Sequence, residues 1–409
     1  MRYILRALNS RNFRLFAVGQ TVSLIGTYMQ QVAMSWLVYR LTGSAMLLGI
    51  IGFTSLIPNF FITPLAGVLA DRWNRRRLLI VTQVLALIQA AALAVAVMTG
   101  IIQVWQIILF SLLLGIINAF DIPLRQSFVV EMVSDREDLG NAIALNSSML
   151  NSARLIGPAI AGLLVAAAGE GICFIINSIS YLAVIMALLA MRVEPASHGG
   201  RARRRILHEL REGFAYTYGF ESIRSILLLL TLVSLMGMPY TVLVPIFAKE
   251  ILGGGAQTFG FLMTASGCGA LAGSLYLASR KSILGLGRVA VMSTVIFTLG
   301  IVCFALSSSM LISLTSMAVA GFGIMTLLAS SNTILQTILA EEMRGRVMSF
   351  FTMSIIGIAP FGFLGAGAMV GIIGTRETLL LGASFCLLGA LLYAKQLPHL
   401  IREKPQPLP

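Results

Sequence analysis

Twelve stretches of mostly apolar residues, parted by short polar breaks, constrain this chain more than any other feature. A bilayer core of roughly 30 Å takes about 20 residues of helix. The runs 13–39, 44–70, 78–98, 102–127, 141–168, 171–191, 223–248, 257–279, 286–306, 311–338, 347–373 and 377–396 all reach that length. In lipid a spanning segment must satisfy its own backbone, which favours helices for runs of this kind. The fold class expected is therefore an all-α membrane protein with twelve transmembrane helices. Composition agrees: 57% of the 409 residues are hydrophobic and 11% charged, against about 25% charged in soluble domains. Arg2, Arg6, Arg11 and Arg14 before the first run imitate a signal peptide. That run is too long for one and lacks a clear cleavage site, so it reads as a retained first span.

The chain carries 29 Lys and Arg against 16 Asp and Glu. Such an excess points either to nucleic acid or to a membrane protein whose basic residues gather on one side. An even number of spans puts both termini on one side. With that side inside, the outer connections hold only Arg40, Lys249 and Arg376, while Arg125 and Arg154 fall within spans. The other 24 basic residues then face the cytoplasm, in clusters such as Arg72, Arg75, Arg76, Arg77 and Arg201, Arg203, Arg204, Arg205. This alternation is what positive-inside orientation requires. It predicts a multi-pass protein of the plasma (inner) membrane with both termini cytoplasmic, and makes nucleic acid unnecessary as a partner.

The longest polar stretch divides the spans six and six. The expected domains are an N-terminal six-helix bundle over 1–192, a cytoplasmic linker over 193–222, a C-terminal six-helix bundle over 223–396 and a tail over 397–409. In the linker Ile206, Leu207, Leu210 and Phe214 recur at helical spacing. This predicts an amphipathic helix at the membrane interface, with a solvated linker as the alternative. A weak internal repeat relates the halves: Gln-Ser-Phe-Val-Val-Glu from Gln126 and Gln-Thr-Ile-Leu-Ala-Glu from Gln336, then Leu139-Gly140-Asn141-Ala142 and Arg344-Gly345-Arg346-Val347, after which Pro158 and Pro360 follow at similar distances. Duplicated six-helix halves are a transporter design with a central site between them.

Several chemistries lack their residues. Cys173, Cys268, Cys303 and Cys386 are far apart in apolar runs and read as buried hydrophobes. His198, His208 and His399 fall in polar connections, so neither a metal site nor an intramembrane histidine relay is expected. No phosphate-binding glycine loop of the G-x-x-x-x-G-K-[ST] kind occurs, so no cofactor and no nucleotide are expected. Enzyme activity lacks a nucleophile–base cluster.

Residues 64–80 read Pro-Leu-Ala-Gly-Val-Leu-Ala-Asp-Arg-Trp-Asn-Arg-Arg-Arg-Leu-Leu-Ile. This resembles the signature between the second and third helices of the major facilitator superfamily, with Gly67, Asp71, Arg72, Arg75 and Arg76 matching. Asn74 replaces a glycine, and is expected in a left-handed turn. In span five, Ala153-Arg154-Leu155-Ile156-Gly157-Pro158-Ala159-Ile160-Ala161-Gly162 is similar to the exporter-associated motif of that superfamily, on Gly157, Pro158 and Gly162. Runs at Asn12–Gln20, Phe120–Gln126 and Asn141–Ser147 look like the branch of macrolide-efflux proteins and the enterobactin exporter. The resemblance implies two pseudo-symmetric six-helix bundles, a conformational latch at Gly67, Asp71, Arg72, Arg75 and Arg76, and a central cavity lined by spans one, four, seven and ten.

Among the acidic residues only Asp121 lies deep within a span, away from its ends, and intramembrane ionisable groups are functional suspects. With Arg125 four residues on and Arg154 at similar depth, it forms either a coupling site or a fixed ion network. Span one carries Gln20, Ser23, Thr27, Gln30 and Gln31 on one helical face. With Asn118, Met238, Thr241, Ser330 and Asn332 these are the candidate cavity residues. A neutral wall mixed with methionine suits a bulky amphipathic substrate; the alternative is helix packing by small polar residues. The function expected is secondary active export of amphipathic small molecules, drug-like or siderophore-like, by alternating access and proton antiport. The alternatives are an uncoupled facilitator or importer, or a non-transporting sensor or scaffold. Expected partners are a small-molecule substrate, protons and membrane lipid, with the chain a monomer.

Overall fold

The computed structural model describes residues 6–72, 74–133, 138–192, 206–280, 282, 285–339 and 341–400, without the side chains of 64–72, 206–211, 213, 342 and 398–400. All regular structure in them is helical. The helices are α1 (Arg11–Thr42), α2 (Ala45–Arg72), α3 (Arg75–Met98), α4 (Val104–Met132), α5 (Leu139–Ala168), α6 (Glu170–Ala190), α7 (Ile206–Gly219) and α8 (Glu221–Leu232). They continue with α9 (Tyr240–Ile246), α10 (Ala256–Ser279), α11 (Leu286–Leu306), α12 (Met310–Ile338), α13 (Glu341–Thr352), α14 (Ala359–Ile373) and α15 (Thr375–Leu400).

Among the described residues eleven helical segments are long and apolar enough to cross a membrane. Two of them are composite, Glu221–Ile251 and Met343–Ile373. Both contain π-helical turns, Val233–Gly237 and Phe247–Ile251 in the first and Met353–Gly357 in the second. Pro239, Pro245 and Pro360 lie beside these turns. A proline lacks the N–H of a regular turn and crowds the carbonyl four residues earlier, which for Pro239 and Pro360 belongs to Leu235 and Ile356 inside the π-helical turns, so the backbone widens there; Pro245 precedes its turn. The helix outside the eleven is α1, whose 32 residues are long enough but carry Gln20, Ser23, Thr27, Gln30 and Gln31. Twelve spans were expected from the sequence; the structure establishes the eleven.

The chain forms two compact units, Met1–Gly199 with Ala248–Thr264, and Gly200–Phe247 with Ala265–Pro409. The first therefore takes in a segment that the sequence alone groups with the second. In the first unit α1 packs on α5 and α6, α3 on α4 and α6, and α2 on α4. In the second, α11 packs on α12 and α15, and α8 on α15. Counting spans from the start of each half, third–fourth, third–sixth and first–sixth contacts occur in both. Without a hydrophobic drive between helices in lipid, such contacts rely on close approach and polar links. A Cβ on Gly323 of α12 would stand 2.4 Å from the Phe297 nitrogen of α11, so only glycine fits.

One end of the first unit is tied by polar clips around an apolar knot. Asn12 exchanges two hydrogen bonds with the backbone of Arg192 (2.9 and 3.1 Å), Ser10 Oγ donates to the Met132 carbonyl (2.6 Å), and the Ala7 amide donates to Asn141 Oδ1 (3.0 Å). Beneath them Phe13, Phe16, Leu124, Phe128 and Ala142 are buried together. The sequence runs near Asn12, Phe120 and Asn141 thus meet in one place. Cys173 and Cys386 are buried, but Cys268 and Cys303 are exposed on helices apolar enough to span, correcting the reading of all four as buried.

In the second unit α7 lies against α13. Arg346 donates to Glu212 (2.5 Å), and the Phe214 ring stands 6.3 Å from Phe350. The linker residues 193–205, with the cluster Arg201, Arg203, Arg204 and Arg205, lie outside the described residues.

Candidate functional site

Asp121 sits on α4 with 5% of its surface exposed. Pro123 lies two residues on, inside the same helix. Its Oδ1 accepts from Gln83 Nε2 at 2.7 Å and has Thr82 Oγ1 at 2.9 Å, both on α3. Oδ2 lies 3.9 Å from Arg125 Nε, one turn along α4. The structure thus unites Asp121 and Arg125, as the spacing predicts, and adds Thr82 and Gln83. Those two are neutral and were not singled out. Their sequence signal is a Thr-Gln pair within an apolar run, where each polar group needs a partner. Arg154, expected to share the network, occupies an exposed position of α5.

A second buried polar cluster lies farther along the first unit. Gln30 Nε2 donates to Gln89 Oε1 (3.1 Å), Asn177 Nδ2 donates to Gln30 Oε1 (2.7 Å), and Gln89 Nε2 donates to the Phe110 carbonyl (3.1 Å). The Thr27 hydroxyl is 3.4 Å from the Tyr181 hydroxyl. Amides from α1, α3 and α6 thus close on one another, with a carbonyl of α4 as the last acceptor. Gln30 and Asn177 have no exposed surface. Gln20 and Ser23 are also buried, Thr27 is half-buried and Gln31 is exposed. Of the polar stripe of α1, Gln30 therefore turns toward α3 and α6, and Thr27 toward α6. Asn118, Met238, Thr241 and Asn332 are half-buried, and Ser330 is buried, donating to the Leu327 carbonyl (3.1 Å).

The amide cluster makes a prediction. Asn177→Leu would leave Gln30 Oε1 without its donor, in a place water does not reach. An orphaned buried acceptor costs about 1–3 kcal/mol, although hydrogen bonds between membrane helices average about 0.6 kcal/mol. The expected result is a loss of roughly 1–2 kcal/mol, read as a lower melting temperature of the purified chain, with Asn177→Gln losing less.

The motif on α5 has a geometric explanation. A Cβ on Gly157 would lie 2.6 Å from Tyr28 Cβ and 3.0 Å from the Ile25 carbonyl, so this glycine seats α5 on α1. Gly162 faces Gly260 of α10, where a Cβ would stand 3.0 Å from the Gly260 Cα. Conversely, a Cβ on Gly260 would lie 2.7 Å from both the Gly162 Cα and the Pro158 carbonyl. Gly157, Pro158 and Gly162 therefore mark a backbone-to-backbone seam.

Beside that seam the ends of α1, α5 and α6 and the start of α10 surround a cavity of about 560 Å³, lined by Trp36, Arg40, Val165, Glu170, Gln257 and Thr258 among others. Arg40 donates to both oxygens of Glu170 (2.7 and 3.1 Å), and Trp36 stacks on Phe259 with ring centres 6.4 Å apart. Tyr39 donates to Glu250, and the Lys249 ammonium lies 5.4 Å from the Tyr39 ring centre.

Of the latch residues, Gly67, Asp71 and Arg72 close α2 and their side chains lie outside the described residues. Arg75 pairs with Glu131 at the end of α4 (2.8 Å). Arg76 donates to the Leu188 and Leu189 carbonyls (2.7 and 2.9 Å), meeting the negative end of α6. Asn74 is not left-handed as expected. With φ −65° it is the N-cap of α3, its Oδ1 accepting from the Arg77 amide at 3.1 Å. Asparagine suits that place because its side chain satisfies a free amide of the first turn.

Comparison with known proteins follows this geometry. The chain is similar to the Staphyloferrin A transporter of Staphylococcus aureus, 25% identical over 341 residues, covering 83% of this chain and 85% of that one. It is 24% identical over 368 residues to the Multidrug efflux pump Tap of Mycolicibacterium fortuitum, covering 88% and 89%. To Macrolide efflux protein A of Streptococcus pyogenes it is 24% identical over 378 residues, covering 90% and 92%. Among solved structures, a bacterial homolog of the human lysosomal transporter Spinster, in an inward-facing and unoccupied conformation, superposes with a TM-score of 0.77 at 14% identity, covering 97% and 98%. A D-xylose-proton symporter superposes with a TM-score of 0.74 at 15% identity, covering 93% and 97%. These two share the fold. The family described as Transmembrane secretion effector matches residues 5–407, and the chain belongs to it: a multi-pass membrane transporter of the major facilitator superfamily, not an enzyme.

Proposed function

We propose that this chain is a secondary active exporter of amphipathic small molecules, drug-like or siderophore-like, working by alternating access with proton antiport. The observation that carries the coupling half is Asp121. A carboxylate buried in a span is costly to keep, which makes it a functional suspect, and its nearest cation stands 3.9 Å away. The names of the relatives, two efflux proteins and a siderophore transporter, support the substrate class. The likeness of Gly157, Pro158 and Gly162 to the exporter-associated motif supports export. In this reading α1 is the twelfth span, and Gln31, Asn118, Met238, Thr241 and Asn332 are the more open of the cavity candidates. The protein acts as a monomer in the plasma membrane with its basic end and both termini in the cytoplasm.

Inverted membrane vesicles test it. A fluorescent amphipathic dye should accumulate when the lumen is made acidic and leave when a protonophore collapses the gradient. Moving one charge across 100 mV is worth about 2.3 kcal/mol, so modest accumulation is within reach. Dye movement that ignores both pH gradient and membrane potential overturns the coupling and leaves a facilitator.

A further inference from the structure

The polar groups around Asp121 do not balance in one charge state. Thr82 Oγ1 is 2.9 Å from Asp121 Oδ1 and also 2.9 Å from the Leu79 carbonyl one turn back. A hydroxyl has a single proton, so it serves one of these acceptors at a time. Gln83 directs its Nε2 to the same Oδ1 (2.7 Å), and its own Oε1 is buried without a hydrogen-bond donor. Thr82 and Gln83 are 6% and 4% exposed, so water does not fill the deficit from bulk.

We propose that Thr82 and Gln83 are positioning residues that hold Asp121 in both its charged and its proton-bound form, making this cluster the proton-binding site of the transporter. In the charged form both side chains donate to Oδ1 and Gln83 Oε1 is left bare. When a proton from the aqueous phase bonds to a carboxylate oxygen, the Gln83 amide turns over and its Oε1 accepts that proton. The Thr82 hydroxyl swings back to the Leu79 carbonyl. One hydroxyl rotation and one amide turn convert the site, with no backbone movement. Neutral partners on Oδ1 suit such a site, because a cation hydrogen-bonded there would favour the charged form; Arg125 Nε stands 3.9 Å from Oδ2, beyond hydrogen-bond reach. The groups that bear charge nearby are few. Arg125 lies on α4 itself, and the Tyr181 phenol of α6 is within electrostatic range of both Asp121 and Arg125. α3 brings the neutral pair at this level and carries Arg75, Arg76 and Arg77 in its first turn, where Arg75 pairs with Glu131; α5 carries Arg154 at an exposed position, and α1 has no charged residue between Arg14 and Arg40. The proposal rests on the antiport reading above but concerns proton occupancy, which can be measured apart from transport.

The test is infrared difference spectroscopy of the full chain in lipid nanodiscs across a pH series. The parent chain should show a carboxylic-acid band that grows in as pH falls and is absent from Asp121→Asn. In Gln83→Leu that band should move to higher frequency, since its proton has lost its acceptor. In Thr82→Val it should grow in at higher pH by about one unit, the scale of one hydrogen bond to a charged group. Thr82→Ser should restore the parent titration, which separates a lost hydroxyl from a damaged fold. A band present in the parent but identical in frequency and midpoint in Thr82→Val and Gln83→Leu overturns the role of the pair while antiport stands. No band at any pH overturns both. Loss of the band on adding sodium chloride at fixed pH overturns the proton as ligand in favour of a metal cation. Dye movement in the parent chain that ignores the pH gradient, with the band behaving as expected, overturns the antiport reading alone, and transport that stays coupled in Asp121→Asn removes this site from coupling.

Discussion

Leucine at Gly260 is expected to reduce transport to less than a tenth of the parent activity and to lower the melting temperature of the purified chain. The Cβ of any residue there would stand 2.7 Å from the Gly162 Cα and 2.7 Å from the Pro158 carbonyl. Both are backbone atoms in the middle of α5, and neither can step aside as the tip of a flexible side chain can. Overpacking of this kind costs about 1–3 kcal/mol when neighbours shift, and here the whole helix must shift. Gly260→Ala should fall between parent and leucine variant, and Gly162→Leu should behave like Gly260→Leu because the two residues face each other. Efflux of a dye from cells, measured with a thermal melt of the same preparation, reads both effects. Parent-like values in Gly260→Leu would mean that α5 and α10 do not need this contact.

Asp121→Asn is the second large effect. Asparagine keeps the size of aspartate, and its carbonyl can still accept from Thr82 and Gln83, so the α3–α4 contact is expected to survive. What is lost is the ability to carry a proton. Accumulation driven by a pH gradient should drop at least tenfold, about 1.4 kcal/mol of lost driving force on the tenfold scale, while dye still equilibrates down its own gradient. Unaffected gradient-driven accumulation removes Asp121 from coupling and returns it to the role of a brace between α3 and α4.

The sequence makes the fold legible in proportion to how local each signal is. Apolar runs mark the spans because a helix must be about 20 residues long to cross lipid, and Asp121 stands out because charge is rare there. The Asp121–Arg125 pair is readable from a spacing of four. Gly162 is readable as a small residue, but its partner Gly260 lies far off in sequence and nothing local names it. The stripe of α1 shows why periodicity is not enough. It identifies a polar face but not what that face meets, and Gln30 meets Gln89 and Asn177 from helices much later in the chain. Thr82 and Gln83 carry no charge, so a search for ionisable groups passes them over. The π-helical turns before Pro239 and Pro360 follow from prolines plainly visible in the sequence. Pro158, however, lies in an uninterrupted α5, so proline alone does not decide where the backbone widens.

The amide cluster that joins α1 to α3 and α6 also bears on how the protein is made. A nascent chain offers α1 to the membrane before Gln89 and Asn177 exist to receive Gln30. At that moment α1 is a helix with three glutamines and no partner for any of them outside itself. Insertion of a segment on its own depends on its summed apolarity, and α1 is the one long helix outside the eleven that meet that standard among the described residues. Its settled place in the bundle therefore waits on α6, which supplies Asn177. The order of synthesis and the order of stable insertion differ in this chain, and α1, made before the helices that receive it, is among the last of its half to be secured.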